Sequence, residues 1–152
     1  DRLTSLTLLC STFKRNKEEQ QIVNDRFELS KKSKTLSEQA LKRWFTDEYL
    51  DNNPDTYKKI CSILDQNNIE NFLKVYELFV KHKDNENFNN IKAKTLIITG
   101  ENDIGSTPEM SHNLSKKIIN SKVKIINNGK HLCSIEHADD VNMEIKKFVD
   151  NA

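Results

Sequence analysis

No apolar run in this 152-residue chain approaches the ~20 residues needed to cross a bilayer. The longest, such as Leu96-Ile97-Ile98, are far shorter, and no membrane partner is expected. Nor is there an excess of one charge. Lys+Arg 24 stand against Asp+Glu 23, a formal net charge of +1, and the lysines are interspersed with acids along the whole length. A nucleic-acid binder gathers its basic residues on one face, so no nucleic-acid partner is expected either. Three cysteines, Cys10, Cys61 and Cys133, form no C-x-x-C pair and are odd in number. That argues against a disulfide framework or a zinc knuckle and suits a reducing cytoplasm. Glycine (3) and proline (2) are few. There is no signal peptide and no initiator methionine, and the strand-like opening Asp1-Arg2-Leu3-Thr4-Ser5-Leu6 gives the expectation that the beginning is cut.

What remains is an ordinary soluble composition, 36% hydrophobic and 31% charged. A chain of this length can bury roughly two thirds of its unfolded surface in one domain without a metal or a disulfide. Arg2 to Cys10 alternates Thr and Leu before an apolar finish and predicts a buried strand, ended by the polar stretch from Thr12 to Gln21. Thr35-Leu36-Ser37-Glu38 has the pattern of a capping box, followed by Ala40, Leu41, Trp44 and Phe45 on one helical face. Pro54 opens a second helix carrying Tyr57, Ile60, Cys61 and Leu64. A third runs from Ile69 to Val80, capped by Asn67 or Asn68, with Ile69, Phe72, Leu73, Tyr76 and Phe79 inward.

Beyond the polar connector from Lys81 to Asn90 the pattern becomes α/β. Lys94 to Gly100, KTLIITG, lacks polar alternation, as expected of a parallel strand covered on both faces. Thr107-Pro108-Glu109 opens a helix with Met110, Leu114 and Ile118 in register, and Lys122 to Asn127 is the next strand. Asn128-Gly129 turns the chain, and Ile135, Ala138, Val141, Ile145 and Phe148 mark a last helix from Ile135 to Val149. Strand, helix, strand, helix places both strands parallel, with their C-terminal ends at one edge of the sheet, where open α/β sheets put their sites. The loops leaving that edge carry Asp103 and His131. Strands about 4.8 Å apart would let this carboxylate and imidazole come within hydrogen-bonding reach.

The segments TLIITGEND, TPEM and GKHLCSIE, taken in this order, resemble the closing part of an α/β-hydrolase. The triad of that fold runs nucleophile, acid, histidine along the chain, and Asp103 and His131 match the last two. Within the superfamily the sequence is most similar to the oxoadipate enol-lactonases, through Arg43-Trp44-Phe45-Thr46 in the cap and His131-Leu132-Cys133-Ser134-Ile135-Glu136 in the last turn. The resemblance spans the chain but only the second half of the family's usual length. It implies an incomplete α/β-hydrolase fold, with about three parallel strands and flanking helices from residues 1–14 and 91–152 and a helical cap from 15–90 roofing the pocket. The G-x-S-x-G nucleophile elbow has no counterpart here, so the resemblance implies an N-terminal half that carries the serine and a piece that is inactive without it.

The implied reaction is cleavage of a small-molecule ester or lactone, with an oxoadipate enol-lactone as one candidate. The serine attacks the carbonyl, His131 accepts its proton and later protonates the leaving oxygen, and Asp103 fixes the imidazole. Trp44 would line the pocket, and Arg43 could pair with an acidic substrate's carboxylate. No cofactor is implied. Without the resemblance, Asp103 reads as a turn former and His131 as a solvated loop residue. His82, His112 and His137 are expected at the surface, and no metal cluster emerges from the histidines. Cys133 as a nucleophile is set aside in favour of packing, because an activated thiol needs a defined electropositive site. The fold alone also admits a dehalogenase or an epoxide hydrolase, and a chain complete as given would instead be a non-catalytic interaction module.

Overall fold

A computed structural model of the chain describes residues 3–32, 36–83 and 87–151. The chain divides into two compact units: Asp1–Phe13, Arg43–Thr46 and Asn85–Ala152 form the first, and Lys14–Lys42 with Asp47–Asp84 form the second.

The first unit is built on a sheet of three strands, β1 (Ser5–Leu9), β2 (Lys94–Gly100) and β3 (Ser121–Ile126), in the order β1-β2-β3. Both pairings are parallel, with Ser5 opposite Lys94 and Leu9 opposite Ile98, then Thr95 opposite Ser121 and Gly100 opposite Ile126. Every residue of β2 from Thr95 onward is buried, which is why its sequence shows no polar alternation. The two-residue period of a strand sends its side chains to opposite faces. Ile97 packs with Phe13, Met110, Leu114 and Ile118, the middle two borne by α6 (Pro108–Ser115). Leu96 and Ile98 pack on the other side with Ile126, Cys133 and Val141, where α7 (Cys133–Glu136) and α8 (Ala138–Val149) supply the last two. Burying one such isoleucine contributes roughly 1.5–3 kcal/mol, so the strand's apolar run is sufficient reason for its central place. α6 begins as its sequence predicts, with Thr107 Oγ1 accepting the Met110 N–H at 3.2 Å and Pro108 in the first turn.

The single last helix expected from Ile135 is two helices. His137, with φ −120° and ψ 46°, interrupts it, so that Ile135 is 43% exposed while Val141, on α8, reaches the core. His137 itself corrects the expectation of a surface side chain: it is half-buried, its Nε2 is shielded from solvent, and its ring edge lies 3.3 Å from where a side chain on Gly129 would begin. His82 and His112 are exposed.

The second unit is helical: α1 (Lys17–Ser30), most of α2 (Leu36–Trp44), α3 (Asp47–Asn52), α4 (Pro54–Asp65) and α5 (Ile69–Lys81). α1 begins within the polar stretch from Thr12 to Gln21 that was expected only to end a strand. Asn16 Oδ1 accepts the Glu19 N–H at 2.9 Å and the Asn16 N–H donates to Glu19 Oε2 at 2.7 Å, a reciprocal cap on a helix whose inward side is narrow. Val23 and Phe27 pack with Val80, Leu73 and Tyr76, and the Phe27 and Tyr76 rings meet edge-on at 5.6 Å. The buried face of α5 is therefore set by Leu73, Tyr76 and Val80, whereas Ile69 and Phe79, expected inward, are 47% and 42% exposed. The Arg15 guanidinium lies 4.3 Å over the Phe79 ring, sheltering it in part. Asn68 caps α5, accepting the Asn71 N–H at 2.9 Å. The predicted capping box at Thr35 lies outside the described residues. No described helix is long and apolar enough to cross a membrane.

Candidate active site

The C-terminal ends of β2 and β3 meet through a glycine. A Cβ on Gly100 would lie 2.3 Å from the Gly129 carbonyl oxygen and 2.4 Å from that of Lys130, both backbone atoms, so only glycine lets the two loops close on each other. The loops are then stitched together: the Asn102 N–H donates to the Gly129 carbonyl at 2.8 Å, and the Asn128 N–H donates to Glu101 Oε2 at 2.9 Å. Asn128 adopts the left-handed conformation, φ 56°, that asparagine tolerates in turns.

This closure delivers the two residues singled out in the sequence to each other. His131 Nδ1 lies 2.8 Å from Asp103 Oδ2. The Asp103 side chain is 1% exposed and the His131 side chain 35%. The other carboxylate oxygen, Oδ1, accepts the N–H groups of Gly105 at 2.8 Å and Ser106 at 2.9 Å, an aspartate turn in which Gly and Ser follow at fixed offsets. Burial pushes the Asp103 carboxyl up. The hydrogen bond and charge of His131, with the Ser106 and Gly105 amides, outweigh it and hold the group below the usual carboxylate range. The ionised carboxylate can only accept, so Nδ1 carries the proton and Nε2 presents its lone pair. For His131 the hydrogen bond to Asp103 raises the basicity, burial opposes, and the Asp103 charge adds to the gain, leaving the imidazole above its ordinary value.

The Arg43–Thr46 segment belongs to the same unit as this pair. The Trp44 carbonyl accepts the Leu132 N–H at 2.9 Å, next to His131. Glu136 accepts the Thr46 N–H at 3.2 Å and also accepts from the Thr46 hydroxyl. Trp44 is thus brought to the histidine turn by its backbone, with its side chain half-buried. Arg43 is near enough for its charge to oppose the His131 imidazolium.

Three residues belong to this neighbourhood that the sequence alone did not single out for it. Ser106 donates its N–H to Asp103, as above, and its hydroxyl to the Cys10 carbonyl at 2.8 Å. Glu136 is the anchor of Thr46. Cys10 ends β1 in the left-handed region, φ 46°, with its sulfur, an Asp103 oxygen and a His131 nitrogen all within 4.8 Å of one another. The Asp-x-Gly-Ser turn could have pointed to Ser106; nothing local could have pointed to Cys10. Donor atoms of that spacing can hold a metal ion. Here both Asp103 oxygens and His131 Nδ1 take part in hydrogen bonds to each other or to the Gly105 and Ser106 amides.

No family model matches the chain, and no curated protein does. Solved structures do. The enol-lactonase from Burkholderia xenovorans LB400 superposes with a TM-score of 0.87 at 20% identity, covering 98% of this chain and 57% of that one. A thermophilic esterase from Thermogutta terrifontis gives 0.80 at 19%, covering 99% and 57%. MGS-M2, an alpha/beta hydrolase enzyme from a Medee basin deep-sea metagenome library, gives 0.81 at 16%, covering 97% and 56%. The chain therefore has an α/β-hydrolase fold in part, and it spans little more than half the length of these structures.

Proposed function

We propose that this chain supplies the acid and the histidine of a hydrolase that cleaves a carboxylic ester or a lactone, with the nucleophile carried by a part of the protein outside these 152 residues. The observation that carries the reading is the 2.8 Å contact between His131 Nδ1 and a buried Asp103 whose second oxygen is held by two amides. A carboxylate so fixed orients the ring and stabilises the imidazolium. His131 Nε2 then takes the proton of a serine as its oxygen bonds to the carbonyl carbon, and returns it to the leaving oxygen as the ester bond breaks.

The likeness to an enol-lactonase and an esterase supports this substrate class, with an oxoadipate enol-lactone as the narrower assignment. In it Arg43 pairs with a substrate carboxylate, Trp44 lines the pocket, and the helical unit, in the role of a cap, takes part in selecting the substrate. The test is hydrolysis of nitrophenyl esters and enol-lactones by the protein expressed with the coding segment that precedes Asp1. His131→Ala is expected to lower kcat by at least about 10³-fold with an unchanged circular dichroism spectrum. Turnover retained in that variant contradicts the proposal.

A further inference from the structure

Two thiols meet beside the acid and the histidine, and the proton-transfer chemistry uses neither. Cys10 Sγ and Cys133 Sγ are 3.7 Å apart although 123 residues separate them in the chain. Both are held from several sides. The Cys10 N–H donates to the Ile98 carbonyl at 2.8 Å, and its own carbonyl accepts the Ser106 hydroxyl at 2.8 Å. Cys133 is fully buried among Leu96, Ile98, Ile126 and Val141, and a side chain on Gly129 would begin 2.9 Å from its Cβ. A disulfide bond is about 2.05 Å long, so closure by about 1.6 Å, within reach of side-chain rotation and a small backbone adjustment, joins the two sulfurs.

We propose that Cys10 and Cys133 are a reversible oxidation site that closes to a disulfide under a peroxide and transmits the redox state to the Asp103–His131 pair. In the first step a peroxide oxygen bonds to one sulfur, the O–O bond breaks, and the thiol becomes a sulfenic acid with release of water. In the second step the other sulfur attacks, the S–O bond breaks, and a second water leaves. The two thiols lose two electrons and two protons in all, and hydrogen peroxide is reduced to water. The Cys10 thiol's hydrogen bond draws Cys133 below an ordinary thiol's range, while Cys133 and burial push Cys10 up.

The route to the site is short on both sides. Ser106 links the Cys10 carbonyl to Asp103 Oδ1 through its hydroxyl and its N–H. Cys133 lies two residues after His131 on the same turn. Drawing the sulfurs together pulls on Asp103 through Ser106 and on His131 through the turn it shares with Cys133. The thiol chemistry stands apart from the hydrolase reading; only its meaning for turnover rests on it.

The full chain, treated with hydrogen peroxide and digested without reductant, is expected to lose about 2 Da. It retains one alkylatable thiol of its three, at Cys61, and yields a peptide joining Cys10 to Cys133. Dithiothreitol restores all three thiols. Cys61→Ser keeps the mass loss and Cys133→Ser abolishes it. The His131 imidazole resonance shifts on oxidation and returns on reduction. Three thiols surviving the peroxide, a linkage through Cys61, sulfinic acid without linkage, or a linkage that leaves the His131 resonance in place would each overturn the proposal.

Discussion

Replacing Gly100 by alanine tests the closure on which the site depends. The new Cβ would be 2.3 Å from the Gly129 carbonyl oxygen, 2.4 Å from that of Lys130 and 2.5 Å from the Gly129 carbonyl carbon. These are backbone atoms and cannot rotate away, so the histidine loop has to withdraw by about 0.7 Å or β2 has to bend. The Gly129 oxygen is also the acceptor of the Asn102 N–H, at 2.8 Å, and its retreat weakens that hydrogen bond, worth about 1 kcal/mol. Overpacking against rigid neighbours costs about 1–3 kcal/mol, so the sum is roughly 3 kcal/mol. At about 2–4 °C per kcal/mol for a chain of this size, the midpoint of thermal unfolding should fall by roughly 6–12 °C. The assay is a thermal melt of the full chain by near-ultraviolet circular dichroism, beside a proton spectrum of the His131 ring. A melting midpoint within about 1 °C of the parent, with an unchanged ring resonance, would refute the close approach of the loops.

Glu136→Ala removes the acceptor of the Thr46 N–H and hydroxyl; hydrogen bonds to a charged group are worth about 1.5–3 kcal/mol each, so a urea midpoint unchanged from the parent would refute the anchoring role. The Asp103–His131 pair gives stability a pH window. Asp103 is held below 3.8, so its share is present above pH 3.8 and is lost as pH falls through the depressed value. His131 is raised above 6.5, so its share is complete below pH 6.5 and is lost as pH rises through the raised value. The difference in urea midpoint between the parent and His131→Ala should be largest between pH 3.8 and 6.5; a difference independent of pH contradicts the assignment.

What could be read from the sequence follows the strength of local signals. KTLIITG was legible as a buried strand because a run without polar alternation fits a strand covered on both faces, and β2 is that. Asp103 and His131 were legible because parallel strands send their following loops to one edge, whatever lies between. α1 was not, since Lys17 to Gln21 is charged or polar throughout and its inward side rests on little more than Val23 and Phe27; the Asn16 and Glu19 spacing was its only local mark. The break at His137 was hidden because Ile135 and Ala138 keep a helical spacing whether or not a turn intervenes. The inner face of α5 could not be fixed from periodicity alone, as its aromatic residues form a stripe wider than the two side chains of α1 that cover it. The left-handed backbone of Cys10 and its contact with Cys133 depend on residues 123 apart, which no window of sequence brings together.

A buried carboxylate holds this imidazole and raises its basicity, and the titration of the His131 ring by nuclear magnetic resonance in the parent and in Asp103→Asn reads this directly. The parent is expected to titrate above 6.5, because the hydrogen bond and charge of Asp103 outweigh burial. The variant should titrate lower, since burial persists while the carboxylate charge is gone. A parent midpoint at the ordinary histidine value, unmoved by the substitution, would contradict the account.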